Sequence, residues 1–597
     1  MAGWVHDDHG AAGPMTVLRV WAPRARRVRV KTVVEGHRAV LHELKPGPDD
    51  WWNAEVGDIE VGTDYGFLLD DDEVPLPGPR SRRLPHGVHG LSRLYDSRAY
   101  AWHDQYWTGR DLPGAVIYEL HIGTFTAEGT FAAAIDRLDH VAGLGVTHVE
   151  LLPVNAFNGE WNWGYDGVGW FAVHEPYGGP DGLKRFVDAC HARGLAVILD
   201  VVYNHFGPSG NYLPRFGPYL KEGSNTWGSL VNFDGEGSEQ VRQYVLDNAL
   251  MWFEEFHVDA LRLDAIHALA DTTKPHILAA LAADVDALCA HLGRPLVLIA
   301  ESDLNDPMVI EGRSAGGYGM DAQWDDDFHH QVHALLTGER QGYYADFGTL
   351  PGLAKVLTSA FFHDGTYSEF RKRPHGAPID RVATPGYRFV VSLQNHDQVG
   401  NRATGERLTT LTTPGRLRIG ALLLLTAPFT PMLWMGEEWG AATPWQFFTS
   451  HPEPDIAAAT TRGRTAEFAE HGWSQPAADP QDPRTFQRSK LRWSEVDAPG
   501  HADLLRLYRG LITLRRREAS LSDPRLDRVH CEYDDETGWL RMHRGRLRVV
   551  VNLADRPQTI PVDRPIANVL ISTARGFHFD ATGITLPAES GVVVQVV

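Results

Sequence analysis

Three acids stand where short apolar runs end. Asp264 follows Leu261-Arg262-Leu263, Glu301 follows Leu296 to Ala300, and His396-Asp397 closes the run that begins at Phe389. Arg262 and Asp264 flank Leu263, so on an alternating strand both point the same way. Asp200 sits inside the apolar run Ala196 to Val202, and Asn204-His205 follows it. Charges this close to a packed interior are costly unless paired. Asp200 and Arg262 are therefore expected to form an ion pair in part. A single acid at a strand end is more often a turn residue or a helix cap. The coincidence of all the acids with one arginine is what points to chemistry. Cleavage of a glycosidic bond needs this set: one acid to protonate the leaving oxygen and one carboxylate to attack or stabilise the anomeric carbon. Where configuration is retained, the two carboxyls lie about 5–5.5 Å apart. Their repulsion raises the pKa of one, which then serves as the acid, while Arg262 is placed to keep its partner ionised.

The elements that would position these residues read as repeated strand–helix units. Strand candidates are Ala115 to Leu120, Thr147 to Leu152, Ala196 to Val202, Asp259 to Asp264, Leu296 to Ala300, Phe389 to Leu393 and Met432 to Met435. Helical patterns lie between them at Phe131 to Leu144, Asp181 to Arg193 with Gly194 at the stop position, Glu239 to Phe256, and Ile277 to Leu292; Ala502 to Arg517 closes the run. The interval from Asp264 to Glu301 suits one helix, and the longer one to Asp397 more than one unit. The implied class is α/β: a (β/α)8 barrel with its active site at the C-terminal ends of the strands. Residues 16 to about 105 instead alternate, as in Val17 to Pro23 and Val28 to Val33, and so do Leu540 to His543, Leu547 to Leu553 and Val592 to Val597. We divide the chain into an N-terminal β-sandwich (1–108), a barrel (109–520) with a short excursion at 206–234, and a C-terminal antiparallel β-domain (521–597). Leu76 to Pro85 reads as an extended loop and Asp70 to Glu73 as a solvated turn.

Composition limits the partners. A formal net charge of −21 over 597 residues repels nucleic acid. The basic runs Arg24 to Arg27 and Arg515 to Arg517 are expected at a strand edge and at a solvated helix end. A neutral substrate suits this balance. The three cysteines, Cys190, Cys289 and Cys531, form no CxxC or disulfide framework, and the first two are expected as buried free thiols in helices. Met1 to Pro14 lacks the apolar core of a signal peptide, and the apolar stretch around Ala421 to Ala427 is too short to span a bilayer. The expected setting is cytoplasmic, with no membrane partner. Aromatic residues cluster in apparent loops, as in Trp161 to Tyr165, where flat rings suit sugar faces.

Four segments in order resemble the motifs of the α-amylase superfamily of glycoside hydrolases: Asp200-Val201-Val202-Tyr203-Asn204-His205, Leu261-Arg262-Leu263-Asp264-Ala265-Ile266-His267, Ile299-Ala300-Glu301-Ser302 and Leu393-Gln394-Asn395-His396-Asp397. The resemblance covers nearly the whole chain. It implies Asp264 as nucleophile, Glu301 as general acid/base and Asp397 as the transition-state stabiliser gripping sugar hydroxyls. It also implies sugar contacts from His205 and His396, stacking by Tyr165, and a double displacement that retains the α configuration. Arg262, His267, Gln398 and Asn401 join the expected substrate-binding set. Segments around Trp324 to His330, Gly342 to Phe347, Gly436 to His451 and Phe486 to Lys490 look most like the trehalose-releasing subfamily. That likeness implies hydrolysis of the α-1,4 bond beside a terminal trehalose. It also implies a pathway partner, maltooligosyltrehalose synthase, without requiring physical contact.

On this basis Asp326, Phe328, His329 and His330 are expected at the cleft rim, bonding substrate. A metal cluster at Asp325 to His330 is disfavoured, because consecutive residues on extended chain face opposite ways. Asn204 matches a position that often helps hold calcium in α-amylases, but the excursion is short for a calcium-bearing one. No essential metal and no cofactor are expected. The alternatives are another α-glucan-active enzyme of the superfamily (branching, debranching or α-amylase type) and a non-catalytic glucan-binding protein. The intact carboxylate trio opposes the latter. The N-terminal domain is read as glucan-binding or as structural support.

Overall fold

The computed structural model describes residues 9–12, 15–34, 38–57, 59–470, 478–580 and 583–597. Most of Met1 to Pro14, judged above for a signal sequence, lies outside them. Eight parallel strands close into a barrel: β1 (Ile117–Leu120), β2 (His148–Leu151), β3 (Ala196–Val201), β4 (Ala260–Leu263), β5 (Val297–Ala300), β6 (Ala322–Trp324), β7 (Phe389–Ser392) and β8 (Thr430–Trp434). Each pairs with its neighbour in sequence, and β8 returns to β1. Every residue of these strands is buried, which is why most read as unbroken apolar runs rather than alternating ones.

The barrel interior is layered. Ile117, Ile198, Ala260, Val297, Ala322, Val390 and Met432 share one apolar cluster toward the strand N-termini. One pleat further on, β1 to β4 offer Glu119, Glu150, Asp200 and Arg262. Glu119 pairs in register with Glu150, and Asp200 with Arg262. The lower layer is apolar; the upper one turns ionisable side chains toward the open end, where burial and Glu119 push the Glu150 carboxyl well above the usual carboxylate range.

Several features depart from expectation. β6 has only three residues, bounded by Asp321 and Asp325, and carries no period the sequence could display. The chain beyond it is not extended: Asp325 accepts from Asp327 N at 3.1 Å and caps helix Asp326–Thr337. Between β5 and β6 the described residues form only the 3-10 turns Pro307–Val309 and Arg313–Ala315. Pro307 and the positive-φ glycines Gly316 and Gly319 oppose a regular crossover helix there. The Phe131 to Leu144 pattern divides into Phe131–Ile135 and Leu138–Leu144, whereas Ile277–Leu292 forms as read.

The N-terminal module packs two four-stranded antiparallel sheets. In Val28–Val33 buried and half-buried residues alternate, as a one-sided strand requires. The Pro- and Arg-rich loop after it ties this module to the barrel. Arg80 pairs with Asp247 at 2.6 Å, Arg82 with Glu255 at 2.7 Å and Arg83 with Glu175 at 2.5 Å. The C-terminal domain has an antiparallel five-stranded sheet and an antiparallel three-stranded one.

One basic run needs correction. Arg515 is buried rather than solvated, and donates to the carbonyls of Leu425, Ala427 and Phe429. It satisfies acceptors at and beyond the end of helix Pro414–Thr426. Cys190 is buried as expected, but Cys289 is only half-buried. No described helix is long and apolar enough to cross a membrane.

The Arg80–Asp247 pair is nearly fully buried on both sides, at 3% and 0% exposure. Arg80→Met strands a buried carboxylate and is expected to destabilise the protein by about 3–5 kcal/mol. A denaturation midpoint equal to that of the wild type would show that the pair contributes nothing.

Candidate active site

The open end of the barrel gathers the acids around one guanidinium. Arg262, fully buried, donates through Nη1 to Asp264 Oδ1 at 2.7 Å and to Asp200 at 2.8 and 2.9 Å. Its charged end lies over the Trp324 ring, 4.3 Å from the centroid. Burial opposes this charge, but Asp200, Tyr165, Asp264 and Glu301 outweigh it and raise the pKa of Arg262. Asp264 Oδ2 accepts from Asn204 Nδ2 at 2.8 Å, so both carboxylate oxygens are held.

Glu301 is held differently. Its Oε2 accepts from Ala265 N at 2.6 Å and stands 3.7 Å from Arg262 Nη2. Burial, reinforced by Asp264, Asp397 and Asp326, outweighs Arg262 and pushes its carboxyl up to about 8. Asp200 rises to about 6 through burial and the charge of Asp264, against the pull of Arg262 and Tyr165.

Asp397 sits in the first turn of the short helix His396–Gly400, behind an Asn395–Gln398 capping box. Its side chain is 45% exposed, the most open of the three acids, and accepts from Asn401 Nδ2 at 3.3 Å. His396 Nδ1 meets Glu119 at 2.5 Å, and its Nε2 meets the Tyr165 hydroxyl at 2.7 Å. Burial disfavours the imidazolium, but Asp397 and Glu119 overcome it and raise His396 to about 9. Tyr165 donates to Asp200 at 2.6 Å and stacks on His396. The His205 Nε2 lies 3.0 Å from the Tyr165 carbonyl, and burial lowers its pKa.

The remaining expected residues divide. Gln398 Nε2 donates to Asp326 Oδ1 at 3.2 Å, which joins the helix beyond β6 to Asp397's helix. Burial and neighbouring acids raise Asp326. His267 is an exposed residue whose ring lies 3.9 Å from Asp303. His330 lies in a half-buried box with Tyr343 and Phe347. Phe328 and His329 do not reach the cleft, which corrects the expectation above. Phe328 is fully buried and packs against Phe429. His329 is buried with Nδ1 at 2.7 Å from the Leu393 carbonyl and Nε2 at 2.9 Å from Tyr344 OH. In a helix, successive side chains turn about 100° apart, so only part of the Asp326–His330 run can face one side. Asp327 is also spent internally, accepting from Asn305 Nδ2, Phe362 N and His363 N. Among the described residues, no group of three or more His, Cys, Asp or Glu side chains is arranged to hold a metal ion.

The sequence reading passed over two residues beside this cluster. Glu119, which anchors His396, is a lone acid in an apolar strand, the same signal that exposed Asp200. Trp227 is 48% exposed on the excursion, near the rings of His205 and His267; only its place in a Gly/Asn-rich turn hinted at a rim position.

A closed parallel barrel with clustered acids at its open end, between two β-domains, is the build of an α-amylase-type glycoside hydrolase. The family model for the alpha-amylase catalytic domain matches residues 93–227. Carbohydrate-binding module 48, the isoamylase N-terminal domain, matches 5–85, and a domain of unknown function, DUF3459, matches 524–593. A malto-oligosyltrehalose trehalohydrolase from Rhizobium sp. (strain M-11) is 56% identical, over 96% of this chain and 97% of its own. One from Mycobacterium tuberculosis (strain CDC 1551 / Oshkosh) is 53% identical, over 92% and 94%. The solved structure of a candidate alpha amylase from Salmonella typhimurium superposes with a TM-score of 0.89 at 35% identity, covering 99% of both chains. The chain belongs to the malto-oligosyltrehalose trehalohydrolase family.

A carboxyl near 8 is protonated, and able to donate, below that pH. If Glu301 supplies the proton, kcat/KM falls as pH rises through about 8. A profile that is flat from pH 7 to 9, or that already falls near 5, counts against this assignment.

Proposed function

We propose that the protein hydrolyses the α-1,4-glucosidic bond next to the terminal trehalose of maltooligosyl trehalose. The observation that carries this reading is the unequal pair: Glu301 raised to about 8 beside Asp264, which Arg262 and Asn204 hold. Its support for the choice of substrate is the near full-length likeness to the named relatives.

In the first step Glu301 gives its proton to the glycosidic oxygen. Asp264 forms a bond to the anomeric carbon as the bond to that oxygen breaks, and trehalose leaves. Glu301, now a carboxylate, takes a proton from water. The oxygen of that water attacks the same carbon, the bond to Asp264 breaks, and the maltooligosaccharide leaves with its α configuration retained. Asp397, Asn401, His396 and Tyr165 bind the ring at the cleavage point, with His205, His267, Asp326 and His330 around the cleft. We assign the chemistry to residues 109–520, flanked by the domains 1–108 and 521–597, and place the enzyme in the cytoplasm. The substrate, a neutral oligosaccharide, would come from maltooligosyltrehalose synthase acting in sequence.

Asp264→Asn and Glu301→Gln are each expected to lose about 4 kcal/mol or more of transition-state stabilisation, roughly a thousandfold in turnover, with folding intact. Near wild-type turnover in either variant sinks the corresponding assignment. Product analysis tests the substrate. Fast trehalose release from maltooligosyl trehalose with little cleavage of maltopentaose is expected. Comparable cleavage of both would leave a general α-1,4-glucan hydrolase.

A further inference from the structure

The connection from β3 to β4 carries a small hairpin, Leu220–Ser224 against Ser229–Val231, whose tip returns toward the acids. Asn225 at this tip makes two kinds of contact. Its Oδ1 accepts from Trp227 N and Gly228 N, both at 2.9 Å, and so closes the turn. Its Nδ2 donates at 2.9 Å to the carbonyl oxygen of Asn204. Asn204 is the residue whose own amide donates to Asp264, at 3.0 Å to the carbonyl and 2.8 Å to Oδ2, and whose Oδ1 lies against His205 Nδ1. A tip contact to the Asn204 peptide therefore bears on the reach of the side chain that orients Asp264.

The approach to this hairpin is fixed from outside the barrel. Trp21 of the sandwich meets Tyr219 edge-on at 5.3 Å, Phe67 meets Phe216 at 6.3 Å, and Asp72 pairs with Arg215 at 2.8 Å. A β-carbon at Gly217 would stand 2.6 Å from the Trp21 ring, so chain and indole are in direct contact. We infer that Asn225 is a positioning residue, which passes the placement of the hairpin, set by the N-terminal sandwich, through Asn204 to the attacking carboxylate of Asp264. This rests on the proposed role of Asp264 as nucleophile. Attack on an anomeric carbon is sensitive to such placement: a shift of about 1 Å can cost about a hundredfold in rate.

The test uses the full chain and maltooligosyl trehalose. Asn225→Asp keeps an acceptor for the turn but replaces the donor with an oxygen that repels the Asn204 carbonyl; Asn225→Ala removes both functions. At pH 7 the Asp variant is expected to lose kcat by about tenfold or more with KM changed less than about twofold. Its thermal midpoint stays at the wild-type value. As pH falls toward the ordinary aspartic acid pKa of about 4, the carboxyl regains a donor, so the ratio of its kcat to that of the wild type climbs. The Ala variant shows no such climb. Wild-type kcat in the Asp variant at pH 7 overturns the inference, as does loss of kcat in step with the midpoint in both variants at a ratio flat with pH. Asp264→Asn in the same assay separates the two levels. Turnover by that variant removes the nucleophile reading itself; its inactivity beside a wild-type-like Asn225→Asp removes only the positioning inference.

Discussion

Arg262 occupies the point where the demands of the barrel and of the chemistry meet. Its Nη1 lies 2.7 Å from Asp264, whereas its Nη2 lies 3.7 Å from Glu301. The first distance is a charge-assisted hydrogen bond; the second is too long for one. A bond to the ionised form is thus available to one carboxyl and withheld from the other. Burial and three neighbouring acids then act on Glu301 against a weakened Arg262, and its carboxyl rises to about 8. Two carboxyls with one cation between them are held differently because the cation is placed off-centre.

The charged layer around Arg262 requires the rest of the barrel. A guanidinium and several carboxyls without water are tolerable only when each is matched. Asp200 serves Arg262 from the next strand, and Tyr165 serves Asp200. On the other side Glu119 holds His396, whose Nε2 reaches the same Tyr165 hydroxyl. Arg262 and His396 are therefore joined through Asp200 and Tyr165, and Tyr165 couples the loop after β2 to β3 and to the helix after β7. The apolar layer beneath keeps these strands in register, so a slip in any one would turn its charge out of the network.

What the sequence showed followed from burial. The acids of β3, β4, β5 and β7 were legible because each interrupts or ends a run of apolar residues, and a polar residue there has few bland explanations. β6 was illegible for the same reason in reverse: three residues between two aspartates form no run. That gap led to reading Asp325 to His330 as extended chain. Once Asp325 caps a helix, Phe328 and His329 turn into the core, while Asp326 stays by the cleft through Gln398. Arg515 was misjudged because a run of three arginines looks solvated, although one guanidinium was needed to satisfy three carbonyls. The contacts of the hairpin tip were beyond sequence reading altogether, since they depend on where the sandwich places Tyr219 and Phe216.

The choice of arginine at position 262 follows from this geometry. The side chain must touch Asp200 and Asp264 at once, place its charge 4.3 Å from the centre of the Trp324 ring, and remain charged with no exposure to water. A lysine ammonium is a point charge with tetrahedral donors; it can lose its proton when buried and has no planar face to lay on the indole. It would also have to settle nearer to one carboxyl or midway between them. The planar fork instead fixes one short contact and one long one through its own rigid geometry. The asymmetry that distinguishes Asp264 from Glu301 is thus built into the shape of a single side chain, which the Trp324 ring and the Asp200 carboxylate both contact.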